Sequence, residues 1–534
     1  MAKPKRYILF FLAALAFVIL FSIGTSFLYA NEGGDASLFK QMGLGVLRGK
    51  VLHRDLFDNK GPLLFLIHAL GLALGGNTAL LIMQAISLTA TFIIWDKILA
   101  LRCTERQRWI RMGILVLLLI CFYYDGDLSE EWCLPWASWP VLVYLREEKG
   151  LSGSKGGKGL RSLKGLKGVE PSTTLNPLNS LNSLNLLNPF TPSNSLTPFN
   201  YFLTGLCLGV ITFIRPNNAV PFIGFILYDF IIRLTQKDLK GFFKTIGLLA
   251  AGALVIALPI FAYFYIIAGW SGVDDMIYGA FLSNFEYMDL DFTPKWFKVT
   301  NYFTIVGVAI VLQILNTRKE KDVLIPILIA YALFLLTFGK RFYAHYLMAI
   351  LPLFVVMFAS FPPRQNKGQP QHLLRTISMV LALLATPASL HFMAKPMGIF
   401  IHDNFIGEDP FKKIYADFHE CVKDIPEEER DSICIYNFSG LCSGMMQHEG
   451  LVRCNRRFIW KAQIVDRLIR EAEAKGAFEP IWVVISYDNP YFFDDSLYLA
   501  DQFDLKHHFS ADVTYLEKPV RMGKQKDIWI YRRR

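Results

Sequence analysis

Charged residues are scarce in this chain. Asp, Glu, Lys and Arg together make up 19% of its 534 residues, whereas 53% of the residues are hydrophobic. The mean hydropathy is accordingly high, at +0.34. One soluble core cannot bury that much apolar surface, so much of the chain requires lipid as its solvent. The composition therefore excludes an ordinary soluble enzyme and predicts a polytopic membrane protein in contact with a lipid bilayer.

Patterns that bind structural metals are also missing. The eight cysteines include no C-x-x-C pair, and no two histidines stand at the spacing of zinc ligands. We therefore expect no resident metal site. The sequence names no cofactor, and it leaves open whether a divalent cation assists the chemistry.

The basic excess of this chain does not indicate nucleic acid. The formal net charge is +10, but Lys and Arg lie mainly in short segments between apolar runs, with no basic face interleaved with aromatic residues. Such a distribution is the one that the positive-inside rule produces in membrane proteins. We expect no nucleic-acid partner.

Apolar runs of about 20 residues predict about eleven α-helical spans. The first run, 7–29, is longer than the apolar region of a signal peptide, so we interpret it as an uncleaved span, with cleavage near Ala30 as the alternative. The predicted spans are 7–29, 77–99, 110–124, 131–146, 200–214, 218–234, 245–268, 300–316, 323–338, 344–360 and 374–391.

A shorter apolar run, 62–75, ends at Gly75-Gly76 and is too short to cross a bilayer as a straight helix. We interpret it as a re-entrant or interfacial helix. If it does not cross, the Arg- and Lys-rich loops all lie on the cytoplasmic side with the N-terminus. The loops 31–60, 125–131 and 269–300 and the C-terminal tail then lie outside, with 31–60 the first outward-facing loop.

Two composition shifts divide the chain. Residues 1–392 are predicted to form the transmembrane domain, interrupted by a low-complexity cytoplasmic insertion at 147–199 that is rich in Lys, Gly, Leu, Asn and Ser. Residues 393–534 are predicted to form a small soluble extracytoplasmic α/β domain. Its expected elements are strands at 432–436, 481–486 and 528–531 and a helix at 461–475. Its cysteines are compatible with disulfides or with free thiols, and they are Cys421, Cys434, Cys442 and Cys454.

An acidic residue follows the first span directly. Asp35 comes after Gly33-Gly34, and two glycines allow the backbone to turn back toward the membrane. A carboxylate at that boundary is partly desolvated and can serve as a general base. The alternative is an ordinary solvated acid in a loop.

Basic residues lie at the predicted outer ends of other spans. Lys60 precedes a helix that starts at Pro62, and a helix N-terminus together with an ammonium group favours a phosphate. Arg215 and Arg341 lie at outer turns, where the positive-inside rule disfavours arginine, so each requires an anionic partner. These three cations could hold a phosphodiester or pyrophosphate. His345 could hydrogen-bond the phosphate or a sugar hydroxyl, with a structural role as the alternative.

These residues, in this order, resemble the GT-C superfamily of polyprenyl-phosphate-dependent glycosyltransferases, in the branch of the protein O-mannosyltransferases and the lipid A aminoarabinose transferases. The resemblance covers most of the membrane region. It rests on Gly34-Asp35, the run 49–64 that contains Asp58-Asn59-Lys60-Gly61-Pro62, Glu130-Glu131, Ile214-Arg215-Pro216-Asn217, and the run 341–346 followed by Pro352.

The resemblance implies that Asp35 is the catalytic base and that Lys60 and Arg341 neutralise the lipid phosphate. It also implies a soluble domain after the last span. Glu131 or Glu130 would line the same cavity, and we include Asp58 among its acidic residues. The chain departs from the family pattern at Ala36, where members often have Glu, and at Gly61, where many have Pro.

The expected function is transfer of a hexosyl or pentosyl group from a polyprenyl-phosphate donor to a hydroxyl of a glycan, lipid or protein. Transfer would take place with inversion, on the outer face of a bacterial inner membrane. The alternatives are a lipid-linked polysaccharide polymerase or ligase, a transporter or flippase, and a receptor whose external domain binds the ligand. A transporter would show inverted repeats, which we do not see in the sequence.

Overall fold

The structure is a computed structural model that describes most of the membrane region and the core of the C-terminal part. The described residues are 3–30, 33–123, 125–155, 198–235, 237–285, 321–337, 344–360, 398, 401–402, 405, 407, 410–436, 440–452, 480–487, 502–511 and 526–534. The predicted spans 300–316 and 374–391 and the predicted helix 461–475 lie outside these residues.

Helices make up the N-terminal part of the described chain. In chain order they are α1 (Lys3–Phe21), α2 (Gly34–Leu47), α3 (Pro62–Ala100), α4 (Glu105–Tyr123), α5 (Ser129–Lys155), α6 (Pro198–Ile214), α7 (Pro216–Thr235), α8 (Leu239–Ile277) with a π-helical turn (Tyr278–Leu282), α9 (Lys321–Leu336), a 3-10 helix (Ala344–Ile350) and α10 (Leu351–Ser360).

Many of these helices expose apolar side chains, as a helix in lipid does. By length and composition, four described segments could cross a membrane: Pro4–Phe21, Pro62–Ala100, Pro216–Thr235 and Leu239–Phe285. Large apolar residues on their surfaces are exposed, for example 68% of Leu74 and 79% of Ile266. Apolar patches of this kind are stable only against lipid or a partner. The protein is therefore an integral membrane protein with several apolar helices, as predicted.

The break predicted in the first part of α3 is confirmed. Gly75 and Gly76 have non-helical backbone angles inside α3, and Gly76 has a φ of 64°. That left-handed conformation is accessible to glycine at little cost. The helix that starts at Pro62 therefore ends after about three and a half turns, and a second helix continues to Ala100. The assignment of the inner and outer sides stays a prediction.

The segment 31–60, predicted as an outward-facing loop, contains a helix that was not predicted. Residues Gly34–Leu47 form α2, and the first helix ends at Phe21 rather than at residue 29. The pattern did not indicate a helix because Gly43 and Gly45 lower helix propensity. Gly43 is needed for packing, since a Cβ there would lie 2.7 Å from the backbone nitrogen of Ala69 on α3.

The C-terminal part forms a four-stranded mixed sheet with helices. Its elements are α11 (Pro410–Val422), a 3-10 turn (Glu427–Glu429), β1 (Ile433–Tyr436), α12 (Gly440–His448), β2 (Trp482–Tyr487), β3 (Phe503–Ala511) and β4 (Lys526–Arg533). The strand order is β1-β2-β4-β3, with β1 parallel to β2 and the other pairs antiparallel. Three strands match the prediction. The fourth, β3, is an edge strand. It was not predicted because most of its residues are exposed and polar.

Helix α5 is longer than the span predicted at 131–146. It continues to Lys155, so the first nine residues of the predicted insertion, 147–155, are helical in the structure. The remaining residues of the insertion, up to 197, lie outside the described part of the chain.

Candidate active site

Five polar residues lie within electrostatic range of one another, where helices begin or end at one end of the membrane bundle. His345 is buried, and the charges of the other four residues all act on its imidazole ring. We call this group the polar cluster. It consists of Asp35 in the first turn of α2, Lys60 just before α3, Glu130 in the first turn of α5, Arg215 between α6 and α7, and His345 in the 3-10 helix. The structure therefore brings together residues that are up to 310 positions apart in the sequence.

Arg215 is held by the beginning of α5. Its Nη1 lies 2.6 Å from Oε1 of Glu130 and donates a hydrogen bond of 2.9 Å to the Ser129 hydroxyl. The Ser129 hydroxyl in turn donates to Oε2 of Glu130, at 2.9 Å. The Arg215 guanidinium also lies 4.4 Å from the ring centre of Tyr346. Because Glu130 is 1% exposed, this is a buried ion pair, and each charge depends on the other.

Lys60 is held in a similar way by Asp58. Its ammonium nitrogen lies 3.4 Å from Oδ1 of Asp58, and its backbone N–H donates to the same oxygen at 3.0 Å. Asp58 is fully buried, and its second oxygen, Oδ2, has no hydrogen-bond partner among the described residues. Both cations of the cluster thus have a buried carboxylate as their neighbour.

Lys60 lies against the face of α2 that carries Asp35. The Lys60 ammonium lies 5.5 Å from the ring centre of Phe39. Phe39 follows Asp35 by four residues, so the two side chains lie on the same side of the helix, one turn apart. Asp35 is half-buried, and Gly33 before it has a φ of 68°, which gives the turn that glycine was predicted to allow. The Lys60 ammonium therefore lies over a ring that is one helical turn from Asp35.

Glu131 belongs to a different group of contacts from Glu130. Its oxygens accept hydrogen bonds from the Tyr123 hydroxyl at 2.7 Å, from Nε2 of Gln84 at 3.1 Å and from the backbone N–H of Asp127 at 3.0 Å. These donors lie on α3 and α4 and in the turn before α5. Of the two adjacent glutamates, only Glu130 therefore belongs to the polar cluster.

A buried histidine and aspartate support the start of α5, and sequence reasoning missed them. Nε2 of His68 lies 3.1 Å from both carboxylate oxygens of Asp127, and the Trp132 indole donates to Asp127 at 2.9 Å. Burial alone raises the pKa of the Asp127 carboxyl, but His68, Lys40 and Trp132 bring that pKa below its ordinary value. A lone histidine in the apolar run 62–75 was the signal that could have revealed the pair.

Gly61 ties the segment that carries Lys60 to the end of α6. Its backbone N–H donates to the carbonyl oxygen of Ile214, at 2.9 Å. A Cβ at this position would lie 2.1 Å from the carbonyl oxygen of Phe213. Proline has no N–H to donate, so the departure from the family pattern at this position has a structural reason. The close approach places Lys60 near Arg215, the residue that follows Ile214.

We expect Gly61→Ala to destabilise the protein, because the new methyl group meets backbone that cannot move away. Overpacking of this kind costs about 1–3 kcal/mol, and more where backbone must shift. The measurement is thermal unfolding of the purified protein in detergent, and the Tm should fall by several degrees. Gly247→Ala on α8 is the matched control, since a Cβ there meets nothing within 4 Å. Equal Tm values for the two variants would contradict the packing that fixes Lys60.

Arg341 and Lys340 lie outside the described residues, so their predicted contact with a phosphate stays a prediction. Within the described residues, no group of three or more His, Cys, Asp or Glu side chains stands together as metal ligands.

The fold is similar to that of one membrane enzyme of known structure. The crystal structure of ArnT from Cupriavidus metallidurans bound to undecaprenyl phosphate matches 99% of this chain and 98% of its own chain, with a TM-score of 0.56. The chain has the ArnT fold. Because the two sequences are only 10% identical, the likeness concerns the fold. It confirms the polytopic membrane fold that the sequence predicted. No protein-family model matches the sequence, and no curated protein matches it.

Proposed function

We propose that this protein is a glycosyltransferase that moves a sugar from a polyprenyl-phosphate donor to a hydroxyl of an acceptor. The observation that carries the proposal is the polar cluster: a half-buried carboxylate lies with two cations and a buried histidine at the end of the bundle. ArnT, whose fold the chain shares, binds undecaprenyl phosphate in its crystal structure.

Lys60 and Arg215 are the proposed phosphate-binding groups. An ammonium and a guanidinium are the side chains that bind phosphate oxygens most strongly, through charge-assisted hydrogen bonds. Their contacts with Asp58 and Glu130 hold both cations in place before a donor arrives. This preorganisation supports binding, because little side-chain entropy is then lost when the phosphate enters. Arg341 is proposed as a third cation on the strength of the resemblance.

Asp35 is the proposed general base. The acceptor hydroxyl oxygen attacks the anomeric carbon of the sugar while Asp35 removes the hydroxyl proton. A new glycosidic C–O bond forms, and the bond between the anomeric carbon and the phosphate oxygen breaks. The electron pair leaves with the polyprenyl phosphate, whose charge Lys60 and Arg215 stabilise. One direct displacement inverts the anomeric configuration.

The other groups of the site are proposed to position the substrates. His345, buried within the cluster, can hydrogen-bond the donor phosphate or a sugar hydroxyl. Asp58 has an oxygen without a described partner and can accept a hydrogen bond from a sugar hydroxyl. The acceptor is proposed to be a glycan, lipid or protein on the outer face of a bacterial inner membrane. A divalent cation is not part of these steps.

The proposal is tested by a donor panel. The purified protein is incubated with polyprenyl-phosphate hexoses, polyprenyl-phosphate pentoses and polyprenyl-diphosphate oligosaccharides, and release of the lipid phosphate is measured by mass spectrometry. We expect turnover of at least one monophosphate donor, with inversion seen by NMR when an acceptor is used. Turnover of the diphosphate donors alone would replace the proposal by a polymerase or ligase. Movement of donors across a vesicle membrane without bond cleavage would indicate a flippase.

We expect Lys60→Gln to weaken donor binding and also to lower kcat, because the lysine stabilises the charge of the departing phosphate. A hydrogen bond to a charged group contributes about 1.5–3 kcal/mol, so the KM for the donor should rise about 10- to 100-fold. Lys60→Arg keeps the charge and should keep most of the affinity. Lys240→Gln, an exposed residue at the start of α8, is the matched control. An unchanged KM in Lys60→Gln would remove Lys60 from the phosphate site.

A further inference from the structure

The helix that carries Asp35 is joined to the C-terminal domain. Nε2 of Gln41 on α2 donates to the carbonyl oxygen of Leu451, just after α12, at 2.7 Å. Arg48, at the end of α2, pairs with Asp431 at 3.2 Å and donates to the carbonyl oxygen of Gly450. Gln41 is fully buried, so its contact with Leu451 is shielded from water. These contacts connect residues about 400 positions apart.

The chain before Asp35 is joined to the same domain. Ile23 and Tyr29 lie in the connection between α1 and α2, and both are buried. They belong to one apolar cluster with Phe418 of α11 and Met445 of α12. The described residues before Asp35 thus pack in the core of the C-terminal domain, and those after it contact the surface of the same domain.

The opposite side of α2 packs on the membrane helix that follows Lys60. Gly43 brings α2 against the backbone of α3, and the Phe39 ring lies 6.2 Å from that of Phe65. Helix α2 is thus enclosed between α3 and the C-terminal domain. Since α3 begins two residues after Lys60, contacts with α3 and with the domain fix the position of α2 relative to Lys60.

We propose that the C-terminal domain positions the catalytic carboxylate. Gln41 is the positioning residue, because its hydrogen bond to the domain fixes α2 and thereby the position of Asp35. This inference rests on the proposed function, because it assigns the domain to the same reaction. The domain acts as a support that holds α2 at the distance from Lys60 that transfer requires. A base displaced by about 1 Å can lose about 10²-fold in rate, so a loosened helix lowers turnover even though Asp35 is intact.

Gln41→Leu in the full-length protein tests the proposal. Leucine fills similar space but cannot donate to the Leu451 carbonyl oxygen. We expect kcat to fall about 10- to 100-fold, while the Kd for undecaprenyl phosphate stays within about twofold, because Lys60 and Arg215 lie outside α2. Hydrogen–deuterium exchange of residues 34–47 should become faster. Lys423→Ala is the control, because it removes an exposed ion pair with Glu420 in the same domain and should change none of the three quantities.

A second variant keeps the test decisive if Gln41→Leu does not fold. Arg48→Ala removes a partly exposed contact at the C-terminal end of α2, and the expected changes have the same directions but smaller sizes. Faster exchange with unchanged kcat, unchanged exchange, or an equal loss of turnover and phosphate binding would each overturn the positioning role. Wild-type protein that turns over no donor would contradict the proposed function instead, and the exchange measurement would still report whether the domain holds α2.

Discussion

Asp35→Asn is expected to lower the rate of sugar transfer about 10²- to 10⁴-fold, the contribution typical of a positioned general base. Asparagine has nearly the same shape as aspartate, but its amide cannot take the proton of the acceptor hydroxyl. The Kd for undecaprenyl phosphate should stay unchanged or decrease slightly, because removing a negative charge near the phosphate does not weaken its binding. The measurement is single-turnover transfer together with lipid binding by the same preparation.

Two further variants make the Asp35 result specific. Asp274→Asn has the same chemical change at an exposed position near the end of α8 and should leave transfer unchanged. Asp35→Glu keeps a carboxylate, displaced by one methylene, and should retain more activity than Asp35→Asn. Transfer by Asp35→Asn at the wild-type rate would remove Asp35 from the reaction.

Arg215→Met is expected to cause two separate losses. It leaves the Glu130 carboxylate buried without its cation, which costs about 3–5 kcal/mol of stability for a buried ion pair that is broken on one side. It also removes a proposed phosphate ligand, which should raise the Kd for undecaprenyl phosphate about 10- to 100-fold. Unfolding and lipid binding are measured on the same protein.

The double variant Arg215→Met/Glu130→Gln separates these two losses. Glutamine is neutral, so no uncompensated charge remains buried, and most of the stability should return. The affinity for undecaprenyl phosphate should stay low, because the cation is still missing. A double variant that binds the lipid phosphate as tightly as the wild type would show that Arg215 serves only the packing of α5.

The parts of the fold that depend on local patterns could be predicted from the sequence. The scarcity of charge predicts a membrane protein, and the Gly75-Gly76 pair predicts the break in α3. Helix α2 could not be predicted, because it contains several glycines and is stabilised by contacts with α3 and with residues near 450. Contacts over 400 positions leave no periodic signal in the sequence. Strand β3 was missed because an exposed edge strand lacks apolar alternation.

The candidate site, too, could be predicted only in part from the sequence. Charged residues at the ends of apolar spans are unusual, and for that reason Asp35, Lys60 and Arg215 could be selected from the sequence. Which acid pairs with which base could not be predicted. Adjacent glutamates point in different directions at the start of α5: Glu130 contacts Arg215, whereas Glu131 accepts hydrogen bonds from Tyr123 and other groups. Such pairing depends on helix rotation and on neighbours that are distant in the sequence.

The central claim is that the lipid phosphate of the donor binds between Lys60 and Arg215, with Asp35 facing the anomeric carbon. An experimental structure of the full-length protein with undecaprenyl phosphate tests it most directly. We predict that phosphate oxygens lie about 3 Å from the Lys60 ammonium and from the Arg215 guanidinium, at hydrogen-bond distance. A phosphate bound at another place, with neither cation in contact, would contradict the account.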